Sequence, residues 1–69
     1  MKRTLYKQIR LGVERTFEFD KYDDGECWVI GYESKSFEGA RVIKSEQVTP
    51  EAGNEFYKEL LRQGYKVRS

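Results

Sequence analysis

The sequence predicts an α+β fold: a small antiparallel β-meander of three or four strands packed against one C-terminal α-helix, with a short edge strand after it. Three observations carry that reading. Apolar and polar residues alternate over 5–19, an Asp-Gly turn precedes an aromatic and β-branched run at 27–32, and helix start and stop signals bracket 49–64.

In the first segment the odd positions read Leu5, Lys7, Ile9, Leu11, Val13, Arg15, Phe17 and Phe19, while the even ones are largely polar or glycine apart from Tyr6. A period of two is the strand signature. Gly12 interrupts it, which predicts a bend, bulge or turn between a strand near 4–11 and another near 15–22. A helix is the competing assignment, because Leu5, Ile9 and Val13 are also four apart. Gly12 and the lack of a good N-cap count against it.

Tyr22-Asp23-Asp24-Gly25-Glu26 is the clearest turn, since an Asp-Gly pair accommodates positive φ between strand-like runs. The run at 27–32 reads as a central strand. Trp28, Ile30 and Tyr32 lie on one face and Cys27, Val29 and Gly31 on the other, the pattern of a strand covered at least in part on both sides. Residues 33–39 read as a loop and 40–44 as a further strand. Phe37 falls in that loop, either tucked into the core edge or exposed as a contact residue.

At the helix start Thr49 can cap the first turn, Pro50 suits the first helical position and Glu51 complements the positive helix end. At its end Gly64 can take the left-handed conformation, with Tyr65 placed for the hydrophobic contact that accompanies such caps. Ala52, Phe56 and Leu60, with Gly53, Tyr57 and Leu61 beside them, form the stripe expected to lie on the sheet. Charged pairing along the surface is weak, so packing must supply most of the helix stability. Residues 65–68 alternate again and predict the edge strand. No repeat, linker or low-complexity tract divides the chain, so 1–69 reads as one domain.

A chain of 69 residues buries only about 60% of its unfolded surface on folding, so the core must be thin. Ten aromatic residues supply bulky apolar area against a charged fraction of 36%. With one cysteine and no histidine, no disulfide or His/Cys metal site can staple the fold. Cys27 reads as a small buried hydrophobe in a reducing compartment. The basic N-terminus lacks an apolar segment after it, and no uncharged apolar stretch approaches a membrane span, so a cytoplasmic protein without membrane contact is expected.

The same composition argues against catalysis. Without histidine the usual base at neutral pH is missing, and neither a Ser-His-Asp nor a Cys-His pair can be assembled. Asp20, Asp23, Asp24 and Glu26 gather at a hairpin, where carboxylates are expected to be solvated, unlike a buried catalytic acid. As a calcium loop starting at Asp20 the segment fails, since Tyr22 and Gly31 occupy positions that need an oxygen ligand and a bidentate Glu. The six glycines are dispersed, with no phosphate-binding loop. No enzyme activity, cofactor or metal is expected.

Charge is laid out unevenly behind a net of +1. Lys2, Arg3, Lys7, Arg10 and Arg15 make the first fifteen residues basic, whereas Glu18, Asp20, Asp23, Asp24, Glu26 and Glu33 make the next block acidic. The simplest account is a basic strand lying beside an acidic one, where opposite charges across strands help fix register. Two binding functions are compatible with these features. A protein-binding adaptor or inhibitor, of the kind phages and mobile elements encode, would use Asp20, Tyr22, Asp23, Asp24, Glu26, Tyr32 and Phe37, with another protein or a second copy (a homodimer) as partner. The alternative is a nucleic-acid-binding module in which Lys2, Arg3, Tyr6, Lys7, Arg10, Tyr65, Lys66 and Arg68 merge into one basic, stacking surface. With the helix stripe committed to the sheet, either surface is expected on the opposite sheet face, the hairpin tip or the basic ends.

Overall fold

In a computed structural model describing residues 2–21 and 25–68, the chain forms β1 (Lys2–Arg10), β2 (Val13–Lys21), β3 (Cys27–Lys35), β4 (Gly39–Val48), α1 (Pro50–Arg62) and β5 (Lys66–Arg68). The strands make one sheet in the order β4-β3-β2-β1-β5, with every neighbouring pair antiparallel. Consecutive strands pair along the meander. The helix then carries the chain back across one face, so that β5 pairs beside β1 as a short edge strand.

The first segment is strand, as its period of two predicts. Gly12 takes φ 79° and the β1–β2 register shifts between Gln8 and Arg10, the marks of a hairpin closed by a glycine bulge. This places the turn at 11–12, ahead of the expected bounds. Leu11, expected to continue the inward alternation, therefore sits in the turn and is 95% exposed. The predicted turn residues Tyr22, Asp23 and Asp24 lie outside the described residues. On either side of them Lys21 pairs with Cys27, so β2 and β3 are antiparallel neighbours to the end of their ladder.

The expected loop at 33–39 is mostly strand. Glu33, Ser34 and Lys35 pair with β2 on one side and β4 on the other, leaving only 36–38 between the strands. Hydrogen bonding on both sides of an interior strand outweighs the weak strand preference of these residues. An Arg15–Glu33 ion pair at 3.1 Å adds a cross-strand contact. β4 likewise runs past the expected 40–44 to Val48, drawn on by the length of β3. Phe37 remains in the turn and is fully exposed, which settles its two alternatives in favour of the surface.

Odd positions of β1 and β2 and their partners on β3 point to the helix. Leu5, Phe17, Phe19 and Val29 are buried there with Leu60 and Tyr65, and Phe56 and Tyr57 pack against them. Ring edges organise this layer: Phe17 meets Phe56 at 5.3 Å and 86°, and Phe19 meets Tyr57 at 5.3 Å and 79°. Gly31 makes room for it, since a Cβ at that position would stand 2.8 Å from the Phe17 ring.

Both helix ends follow their sequence signals. Thr49 Oγ1 accepts from the Ala52 N–H at 3.1 Å, and Pro50 takes the first helical position. At the other end Gly64 has φ 96°, and the Gly64 and Tyr65 N–H groups donate to Leu61 and Leu60 carbonyls at 3.1 and 3.0 Å. That pattern is a Schellman motif, with Tyr65 buried against Leu60 as its hydrophobic contact. The buried stripe is narrower than expected: Gly53, Phe56, Tyr57 and Leu60 carry it, while Ala52 and Leu61 are exposed. Each lies one residue, about 100° of rotation, beyond its edge.

Two substitutions test this packing. Gly31→Ala should cost about 1–3 kcal/mol, the usual range for overpacking, and Thr49→Ala about 1 kcal/mol through loss of the cap. Both are read from the shift in the urea unfolding midpoint.

Candidate interaction surface

Because successive side chains of a strand alternate between faces, the register fixes what lies opposite the helix. One row crosses the sheet as Lys66, Tyr6, Thr16, Tyr32 and Val42. The next holds Arg68, Thr4, Glu18, Ile30 and Ser45, and the one beyond it Lys2, Asp20, Trp28 and Gln47. Tyr6, Trp28, Ile30 and Tyr32 are half-buried on this face. Among the described residues no element packs over them. The expectation that β3 is covered on both sides is thus met on one side only: Cys27, Val29 and Gly31 lie under the helix, and Trp28, Ile30 and Tyr32 form an open aromatic face.

Charge on this face is balanced by contact. Lys2 Nζ stands 3.0 Å from the Glu18 carboxylate, and the Tyr32 phenol donates to the same group. Hydrogen bonding to Glu18 raises the Lys2 ammonium and the Tyr32 phenol above their ordinary values. At the β5 edge Arg68 reaches Glu14 at 2.7 Å and lies over the Tyr6 ring at 4.3 Å. Lys2, Lys66 and Arg68 stand against Glu14, Glu18 and Asp20, three positive and three negative, so the charges of the described residues on this face balance. The basic first strand does lie beside the acidic second one, with their charges paired locally.

The candidate residues divide between places. Of the protein-binding set, Tyr32 and Asp20 share the open face. Glu26 is exposed beside the start of β3, and Tyr22, Asp23 and Asp24 are outside the described residues. Phe37 lies past the far end of β3, about 30 Å from Glu26 for a nine-residue strand. The nucleic-acid set is split. β5 does pair beside β1, but only Lys2, Tyr6, Lys66 and Arg68 face the open side. Arg3 lies over Tyr57, and Lys7 lies over Tyr65 and donates to the Gln63 carbonyl, both on the helix side. Arg10 is exposed at the end of β1, opposite Val13. Tyr65 is buried, because it closes the helix cap, and it offers no ring for stacking. One continuous basic surface is therefore not formed.

Two features were not singled out from the sequence. Leu11 joins Phe37 at one end of the sheet, where the Ser36 N–H donates to the Gly12 carbonyl at 3.0 Å and ties the two hairpin turns together. A turn signal at Arg10-Leu11-Gly12 could have found it. On the helix side a cleft of about 470 Å³ opens between the start of α1 and the sheet, lined by Arg3, Lys21, Cys27, Glu51 and Tyr57 among others. Cys27 is buried at this cleft with a free thiol. Among the described residues no charged side chain is buried, no cluster of three or more metal-ligating side chains forms, and no helix is long and apolar enough to cross a membrane.

No family model, curated protein or solved structure matches the chain.

The Lys2–Glu18–Tyr32 cluster has a pH signature. Two groups whose folded values are raised contribute stability that is complete below their unfolded values and is lost as pH rises through the folded ones. Unfolding midpoints in urea should therefore fall above about pH 10, and Glu18→Ala should make that alkaline fall shallower than in the parent.

Proposed function

We propose that this chain is a non-enzymatic protein-binding module, an adaptor or inhibitor that presents its open sheet face to another protein. The observation that carries the reading is the set of half-buried rings on an uncovered face, Tyr6, Trp28 and Tyr32 with Ile30, and the ion pairs among and beside them. Aromatic residues concentrate binding energy at interfaces, because they bury large area at small entropic cost. The non-enzymatic part is supported by the missing histidine and by the absence of any buried carboxylate residue among the described residues. Asp20 and Glu26 border the face at one end and give a partner an acidic rim, while Phe37 stands apart and is a separate contact.

The nucleic-acid reading is weaker on this geometry. A strand-tracking groove needs uncompensated cations along it, whereas Lys2 and Arg68 are engaged by Glu18 and Glu14 in the middle of the sheet. Phosphates would have to displace those carboxylates or tolerate them.

Affinity capture from a lysate of the source cells, using the whole chain as bait, tests the proposal. A defined protein should be retained, and its retention should drop at least roughly tenfold with Trp28→Ala or Tyr32→Ala, the loss expected for a central aromatic contact. Equal retention by both variants, or no retained protein, contradicts it. A low-salt mobility shift of oligonucleotides that is lost with Lys66→Ala and Arg68→Ala would favour nucleic acid instead.

A further inference from the structure

We propose that two copies of this chain pair edge to edge through β4, antiparallel and about a two-fold axis that stands perpendicular to the sheet between Ile43 and Lys44. This goes beyond the protein-binding reading, since it assigns a different surface and a different partner. β4 is an outermost strand of the sheet. Ten residues long and without proline, it presents one hydrogen-bonding side to β3 and the other to no described element. Long open edges pair with other strands unless something blocks them. Two of the exposed large apolar side chains, Val42 at 56% and Ile43 at 39%, stand next to each other in its middle.

The order of side chains along β4 specifies the partner. Its ladder with β3 shifts at one point, Gly31 pairing with Lys44 and Tyr32 with Val42, so Ile43 is the extra residue of a bulge. The bulge resets the alternation. Gly39 and Arg41 before it, and Lys44, Glu46 and Val48 after it, lie on the helix side, while Ala40, Val42, Ser45 and Gln47 lie on the open side. Residues opposite each other in an antiparallel pair must share a face. With the axis at the bulge, Gly39 meets Val48, Ala40 meets Gln47, Arg41 meets Glu46 and Val42 meets Ser45, and every pair obeys that rule. Each half of β4 thus forms a short ladder with the other half of its copy, and beside the axis the bulge residue Ile43 of each copy lies opposite Lys44 of the other.

Charge selects this register. Among the described residues Arg41 has no carboxylate partner, and here it faces Glu46 of the second copy, twice per dimer. Displaced by two residues one way, the register sets Arg41 against Lys44, which is repulsive; displaced the other way, it sets Arg41 against Val48 and leaves its charge unmatched. Lys44 itself, beside the axis, is turned over the Phe56 ring at 5.5 Å and held by its own Glu46 at 2.9 Å. The axis direction keeps both helices on one side, so two five-stranded sheets become one of ten strands with both aromatic faces on the other side.

Sedimentation equilibrium of the whole chain, with no other protein present, decides the matter. A species of twice the 8.2 kDa chain mass should appear as concentration rises from micromolar to millimolar. Arg41→Glu and Glu46→Arg should each weaken self-association by roughly tenfold or more, because each sets like charges opposite at two places. The double variant Arg41→Glu/Glu46→Arg restores opposite charges and should return to within about threefold of the parent. Thermal melts confirm that each variant is folded. A monomer at every concentration overturns the proposal, as does a dimer indifferent to both single changes or a double variant no tighter than the singles. Since no other partner takes part, any of those results leaves the protein-binding reading standing, and failure of that reading leaves the dimer standing.

Discussion

The fold depends on Phe17 lying across Gly31. Phe17 occupies the middle strand of the sheet, and its ring spreads over the neighbouring strand because residue 31 has no side chain to lift it. In that position its edges meet Phe56 and Tyr65, which are the centre and the far end of the helical layer. The helix can therefore approach closely and seal Leu5, Val29 and Leu60. Small chains have little interior to share among layers. Here all of it lies between one helix and one sheet face, and what lies on the second face is left to solvent or to another molecule.

That asymmetry explains the distribution of charge better than any long-range attraction does. The basic and acidic blocks of the sequence meet as neighbouring strands, and Lys2–Glu18, Arg68–Glu14 and Arg15–Glu33 all cross from one strand to another. Exposed pairs of this kind add little to stability. Their effect is on register and on the electrical character of the surface. They leave the described charges of the aromatic face balanced, which suits a protein surface of mixed polarity and does not suit a polyanion. The contrast between the basic first block and the acidic block after it, conspicuous on paper, is largely cancelled in three dimensions.

Features set by local chemistry were legible beforehand. The helix ends are the clearest case, because Thr49-Pro50-Glu51 and Gly64-Tyr65 satisfy the terminal backbone groups with residues close in sequence. The strand character of the first segment was legible from its period of two, and the C-terminal edge strand from the alternation of Tyr65, Lys66, Val67 and Arg68. Features set by neighbours distant in sequence were not. Glu33, Ser34 and Lys35 are strand because β2 and β4 flank them, and nothing in those residues announces it. Leu11 continues the alternation in the sequence, and the glycine bulge that ends β1 early shows only once β1 and β2 are paired. Tyr65 looked free to stack on a base because its neighbours are basic, yet the same helix cap that the sequence predicted is what buries it. Ala52 and Leu61 show that an apolar residue flanking a helical stripe need not belong to it.

The central claim is that the helix covers the Phe17 face and leaves the Trp28 face uncovered. The chain has a single tryptophan, so its fluorescence reports on that face alone. In the folded protein without a partner, acrylamide should quench Trp28 readily, at an efficiency between those of a buried indole and of the urea-unfolded chain. Emission typical of an apolar interior, with quenching close to none under native conditions, would mean that the face is covered within the fold and would contradict the account.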